Sequence, residues 1–358
     1  MHKIVATIIM ALGMVAWTAN AQEETTEQES IEAASEGSEG EGVDALEVIS
    51  HHISDSHHWN VFSWKGADGE VKSIDIPLPV IAYNKGDVLI TFSSSFDGGE
   101  KVDKDGYVYS LSEHDKLLVN GEEMKLSEGQ VDLSLTRNVA SMLMSVALLL
   151  LIFVGAARSI AKTKVPRGAA SVAETLVLFV KDIADEQIGK ERGERFAPFL
   201  LTLFFFIWIN NIIGLVPFFP GSSNLSGNIS FTAILAVFTF CVTHIFATKA
   251  YWIHTVTVPG VPAVMKLIMV PLEIVTMFTR PFTLLIRLFA NITGGHIIII
   301  SLFSLIFLLH TYTVACISIP LALMVFVLEL IFGALQAYIF TVLSALYIGL
   351  AVNAGHEE

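Results

Sequence analysis

The chain has 358 residues, of which 53% are hydrophobic and 16% charged, and its mean hydropathy is +0.63. Soluble domains run about 45–50% apolar and about 25% charged, so an ordinary water-soluble enzyme is excluded and several membrane spans are expected. The only cysteines, Cys241 and Cys316, lie in separate apolar runs, which excludes a disulfide framework or a zinc site. The net charge of −14 is unevenly spread: residues 22–132 carry 25 Asp/Glu against 7 Lys/Arg, and residues 133–358 carry 10 against 13. No basic face appears, so nucleic acid is not expected as a partner.

The chain opens as a secretory signal peptide over residues 1–21. His2-Lys3 is a weakly positive start, Ile4 to Trp17 a short apolar core, and Ala19-Asn20-Ala21 a small-x-small cleavage site. A short membrane anchor is the alternative. Residues 22–47 contain ten acidic and no basic residues, with Gly, Ser and Ala between them. Such a segment has too little apolar surface to offset chain entropy and is expected to be disordered. Residues 48–133 read as a small β-containing extracytoplasmic region. Apolar alternation marks Val88–Phe92 and Tyr107–Leu111, and Asn120-Gly121 predicts a tight hairpin. His51, His52, His57 and His58 lack the Cys or carboxylate spacing of a metal site, so a solvated polar tract is expected there.

Apolar runs begin at residue 135. Leu135–Ala157, Ala197–Val216 and Ile229–Thr248 each match one crossing. Leu267–Leu309 and Val314–Val352 are longer. As straight helices they would reach about 58–64 Å, about twice the hydrocarbon thickness, so each is either two crossings or one strongly tilted helix. Pro271, Pro281, Gly294-Gly295 and Pro320 offer places to bend. Eight Lys/Arg between 158 and 195, and Lys249 and Lys266 in the third loop, mark cytoplasmic segments, whereas the 217–228 loop and His310–Thr313 have none. The N-terminus is therefore expected outside and the C-terminus in the cytoplasm. Val172, Leu176, Phe179, Val180 and Ile183 recur at helical spacing opposite Lys181, Asp182 and Asp185, which predicts an amphipathic helix on the inner membrane surface.

Few ionisable groups remain inside the two long runs: Glu273, Arg280, Arg287, His296 and Glu329. A charge at a helix centre costs about 2.5–3.5 kcal/mol on insertion scales. Glu273 and Arg280 have the alternative of snorkelling at an interface; Arg287 and Glu329 lie too deep for that. At 100° per residue, Glu273, Arg280 and Arg287 share nearly one helix face, and Asn291 follows Arg287 by one turn. His296 points to the opposite face. On the last run Glu329 shares a face with Gln336, and Gln336 with Tyr347. A polar stripe of this kind fits a wet path or a polar partner, not lipid.

Arg287-Leu288-Phe289-Ala290-Asn291, then Gly294-Gly295-His296, then Leu335-Gln336-Ala337-Tyr338-Ile339-Phe340 together resemble subunit a of the F-type ATP synthase membrane sector. Asn210-Asn211 with Gly214-Leu215-Val216-Pro217 resembles the same family, and the likeness covers roughly 135–353. The resemblance implies that Arg287 faces a rotating ring of c subunits and that Gln336 stands near it. An arginine keeps its proton and cannot relay one, so it attracts the ionised rotor carboxylate and separates two aqueous half-channels. The family pairs a Glu and a His in the outer half-channel. Here the order is reversed, His296 and Glu329, as in the mitochondrial arrangement, which implies contact between the two long helices. Glu273 matches an acidic residue of the cytoplasmic half-channel. Gly214 stands where some members carry Asp, and the family does not account for residues 22–133.

The expected architecture is an all-α polytopic membrane protein: three ordinary spans, two long tilted helices as a hairpin, an amphipathic cytoplasmic helix and a small β-containing extracytoplasmic region. The expected divisions are 1–21, 22–47, 48–133 and a membrane domain over 134–358. The expected function is that of a non-catalytic stator subunit in a bacterial inner membrane, coupling proton flow to ATP synthesis through Arg287, His296, Glu329, Gln336, Glu273, Asn291 and Tyr347. No phosphate-cradling glycine loop occurs, so no nucleotide site, cofactor or metal is expected. The implied partners are the c-ring, the subunit b stalk, the remaining synthase subunits and lipid. The rival reading, a secondary transporter, calls for internal repeats around a midplane site, and no repeat is visible. Histidine titrates near neutral pH, which favours protons over sodium as the ion.

Overall fold

The computed structural model describes residues 56–65, 71–99, 101–104, 106–112, 116–124, 129–163, 168–216, 221, 225–257, 263–309 and 312–354. The expected signal peptide, the acidic segment, His51 and His52 lie outside the described residues. The described residues divide into two compact units, 148–211 with 226–354, and 56–147 with 212–225.

The second of these units is β-rich. Strands β1 (His58–Lys65) and β2 (Val71–Pro77) form an antiparallel pair. β3 (Pro79–Asn84), β4 (Asp87–Phe92) and β9 (Gln130–Asp132) form a sheet in the order β4-β3-β9. β5 (Val102–Lys104), β6 (Tyr107–Leu111), β7 (Leu117–Val119) and β8 (Glu122–Glu123) form a meander. Two tight turns in these sheets use left-handed backbone at both central residues. Lys85-Gly86 joins β3 to β4 with φ of 49° and 109°, and the expected Asn120-Gly121 hairpin has φ of 54° and 88°. Those values suit the twist of flanking strands, and Asn and Gly tolerate them. Val80, Ala82, Leu89, Phe96, Tyr109, Leu117 and Val119 form the core. Asn84 is buried beneath them and donates from Nδ2 to the Tyr109 hydroxyl at 3.3 Å.

Among the described residues His57 and His58 have polar neighbours, and His57 is buried rather than in the solvated tract expected from the sequence. His57 is buried with Nε2 3.7 Å from Asp132 Oδ2, and His58 Nδ1 lies 3.4 Å from Ser93 Oγ. Burial pushes the Asp132 carboxyl up, but hydrogen bonds from the His57 side chain and from the Ser134 side chain and backbone outweigh it. They hold Asp132 below its ordinary 3.8.

The rest is helical. α1 (Arg137–Thr163), α2 (Ala169–Ile188), α3 (Lys190–Leu215), α4 (Ile229–Ile245), α5 (Lys249–Thr257), α6 (Ala263–Leu309) and α7 (Tyr312–Asn353) follow in order. Four of them are long and apolar enough to cross a membrane, and α4 with α5 makes a fifth candidate bent by 107°. The two long runs resolve as single helices of 47 and 42 residues, with Pro271, Pro281 and Pro320 inside them. At 1.5 Å per residue these are roughly 63–70 Å long.

α2 forms where periodicity predicted it, but its buried face is Ala173, Val180, Ile183, Ala184 and Ile188. Val172 and Phe179, expected on the same apolar face, are exposed within the chain. The buried set packs on α7, whose end is tightly held. Arg192 donates to Val352 O at 2.7 Å and to Asn353 Oδ1 at 2.9 Å. Asn353 Nδ2 donates to Ile188 O at 2.9 Å. Gly349 is required at this crossing, because a Cβ there would collide with the Gln187 carbonyl.

Candidate functional site: the α6–α7 helix pair

Leu284, Leu285, Leu288 and Ile292 form the buried stripe of α6. Their three- and four-residue steps are those of a helix packed along its length. On α7 the buried residues include small or hydroxylated ones, Gly333, Ala337, Thr341, Ser344 and Ala345. The Thr341 and Ser344 hydroxyls donate to carbonyls one turn back, Ala337 O and Phe340 O, at 2.7 Å each. Short side chains let the helix backbones approach closely in a medium that gives no hydrophobic drive between helices.

Two contacts tie the long helices together through polar side chains. His296 Nε2 lies 3.4 Å from Glu329 Oε1, with the residues 20% and 3% exposed. The separation is that of an ion pair without hydrogen-bond geometry. A Cβ at residue 295 would lie 2.9 Å from the Glu329 carboxyl carbon, so Gly295 makes the space in which that carboxyl stands. Further along, the Arg280 guanidinium carbon sits 5.5 Å from the centre of the Tyr347 ring, a cation–π contact. The contacts step back along α6 while they step forward along α7, so the two helices run antiparallel.

The other expected residues are distributed along this pair. Arg287 is half-buried on α6 and makes no hydrogen bond or ion pair among the described residues. Asn291 is exposed one turn on, and Glu273 is half-buried. Gln336 is buried, two turns beyond Glu329 on α7. Among the described residues no hydrogen bond joins Arg287 to Gln336 or Asn291. The expected pairing of His296 with Glu329 is observed, and Tyr347 is joined to Arg280 rather than to a neighbour on its own helix.

Several polar contacts at this site were not expected from the sequence. Asn211 on α3 donates from Nδ2 to Gly333 O at 3.0 Å and accepts from Ser226 Oγ at 2.6 Å, which fastens α3 to the middle of α7. Thr239 on α4 and Ser344 on α7 bring their hydroxyl oxygens within 3.4 Å. His244 on α4 is buried, with Nδ1 2.7 Å from Phe240 O. Thr239, Thr243, His244, Tyr251, Arg280 and Tyr347 line a cavity with room for about one water molecule. Arg280 lies within electrostatic reach of both His244 and Tyr251, and Glu273 of Tyr251. A lone His or Thr inside an apolar helix reads as packing until the neighbouring helices are in place.

An acid and a base that face each other across two packed helices can hand a proton from one to the other. Residues 139–349 match the family described as the ATP synthase A chain, and residues 48–136 match a domain of unknown function, DUF8433. The chain is 47% identical over 241 residues to the ATP synthase subunit a of Chloroherpeton thalassium, covering 65% of this chain and 71% of that one. It is 43% identical over 253 residues to the subunit a of Myxococcus xanthus, covering 68% and 81% respectively. It is also 44% identical over 241 residues to the ATP synthase subunit a 2 of Chlorobaculum tepidum, covering 63% and 67%.

Proposed function

The chain belongs to the ATP synthase A chain family, and on that premise we propose how its residues conduct protons as the stator of the bacterial F0 sector. The observation that carries the reading is the His296–Glu329 pair across α6 and α7. Two isolated titratable groups in long apolar helices are costly singly and workable together.

In this reading α6 and α7 form a tilted hairpin beside the c-ring. His296 and Glu329 pass protons between outside water and the ring. Arg287 carries a permanent charge that draws the ionised carboxylate of each arriving c subunit and bars a direct leak between half-channels. That it makes no hydrogen bond or ion pair among the described residues supports a partner supplied from outside the chain. Gln336 and Asn291 flank the arginine, and Glu273 with Tyr347 and Arg280 belongs to the cytoplasmic half-channel. Moving one charge through 100 mV releases about 2.3 kcal/mol, so several protons pass per ATP. The c-ring and a subunit b stalk are the direct partners.

The division into a cleaved signal peptide, an acidic segment, an extracytoplasmic region and a membrane domain is part of the same proposal, with the N-terminus outside and the C-terminus in the cytoplasm. The basic residues of 158–195 support this orientation. The test is ATP-driven proton pumping in inverted membrane vesicles. Arg287→Ala is expected to abolish it, and Arg287→Lys to leave almost none, because an ammonium lacks the planar fork and loses its proton more readily when desolvated. Substantial pumping by Arg287→Ala would overturn the stator assignment of this residue.

A further inference from the structure

The β4-β3-β9 sheet has one face in the core and one that is apolar and open. Val80, Ala82 and Leu89 point into the core. On the opposite face the register sets Ile81 beside Ile90 and Tyr83 beside Val88. Leu133 continues β9 alongside Ile81, its N–H donating to Ile81 O at 2.8 Å. Ile90 is 70% exposed, Leu133 62% and Phe92 57%. Strand alternation normally puts polar residues on a solvated face; this face is apolar from one edge of the sheet to the other.

The same strands end at the first candidate span. Leu135 N donates to Pro79 O at 3.0 Å, and helix α1 begins at Arg137. Two extended residues cover about 7 Å, and the headgroup layer adds about 5–7 Å on each side of the hydrocarbon. The rung holding Phe92, paired with Pro79, is therefore held at headgroup depth. Within the first three turns of α1, Leu143 and Val146 are exposed as well. The size of the open sheet face also bears on the occupant. Three rungs by three strands measure roughly 13 by 10 Å between backbones, a few hundred Å² at most, against about 800 Å² per partner in a standard protein interface. The surrounding chain is strongly acidic, with a net −18 over residues 22–132, which gives anionic lipid no electrostatic attraction.

We propose that the open face of the β4-β3-β9 sheet rests in the outer headgroup layer of the bilayer and steadies the entry of the first span. The inference rests on reading Arg137–Lys162 as membrane-spanning. The full chain, with Cys241→Ser and Cys316→Ser, would carry a polarity-sensitive fluorophore on single cysteines placed by Ile90→Cys, Leu133→Cys, Asp103→Cys or Leu150→Cys. Each would be reconstituted in phosphatidylcholine nanodiscs with and without a lipid bearing a nitroxide near the headgroup. Positions 90 and 133 are expected to be blue-shifted and quenched at least twofold more than position 103, with no dependence on salt. Quenching at 90 and 133 no greater than at 103, while 150 responds, would overturn the proposal. Protection of 90 from aqueous iodide without lipid quenching, in the assembled synthase, would overturn it in favour of a protein partner. Position 150 outside the lipid would remove the span itself and this inference with it.

Discussion

Exchanging His296 and Glu329 tests whether the two act as one relay. Glu329 is almost fully buried and its carboxyl stands 3.4 Å from His296. His296→Glu alone sets two carboxyls face to face, and Glu329→His alone sets two imidazoles. Removing one partner of a buried pair costs about 3–5 kcal/mol. At roughly 1.4 kcal/mol per factor of ten, this is at least a hundredfold loss of the competent arrangement, and each single variant is expected to pump at background. The double exchange keeps one acid and one base in the same space, where Gly295 adds no side chain of its own. It is expected to recover pumping to within about tenfold of the natural protein, at least ten times either single variant. The assay is ATP-driven fluorescence quenching in inverted vesicles, normalised to the assembled complex by immunoblot so that lost folding is not counted as lost transport. A double variant no better than the worse single one refutes the paired relay.

Gly349→Ala is expected to loosen the crossing of α7 with the end of α2, because the new methyl meets the Gln187 carbonyl; the cost is about 1–3 kcal/mol, read as a lower thermal midpoint of the detergent-solubilised protein. Asp132 has a folded-state pKa below its ordinary 3.8, so its contribution to stability is complete above about pH 4 and is lost as pH falls through the folded value. Fluorescence of the buried Trp59 should report that acid transition, and Asp132→Asn should flatten it while lowering stability at neutral pH. Amino-terminal sequencing of the mature subunit should begin at Gln22; recovery of Met1 would mean a retained anchor.

The five apolar runs, their separation from an acidic β-containing region and the isolation of Arg287, His296 and Glu329 were legible in the sequence, because each is a property of spacing along the chain. So was the Asn120-Gly121 hairpin, which depends on two residues and their tolerance of positive φ. Tertiary structure decided the rest. Periodicity in Val88–Phe92 announces a strand but not which side is inward; Leu89 took the core because Val80, Ala82 and Tyr109 surround it, and the more apolar set was left outside. The same holds for α2, where α7 rather than the hydrophobicity of Val172 and Phe179 chose the buried face. Asn211 binding Gly333, Thr239 meeting Ser344 and His244 facing the cavity beside Arg280 join segments more than thirty residues apart. A helix's own period carries no record of its neighbour, so partners of this kind become definite only when the helices pack.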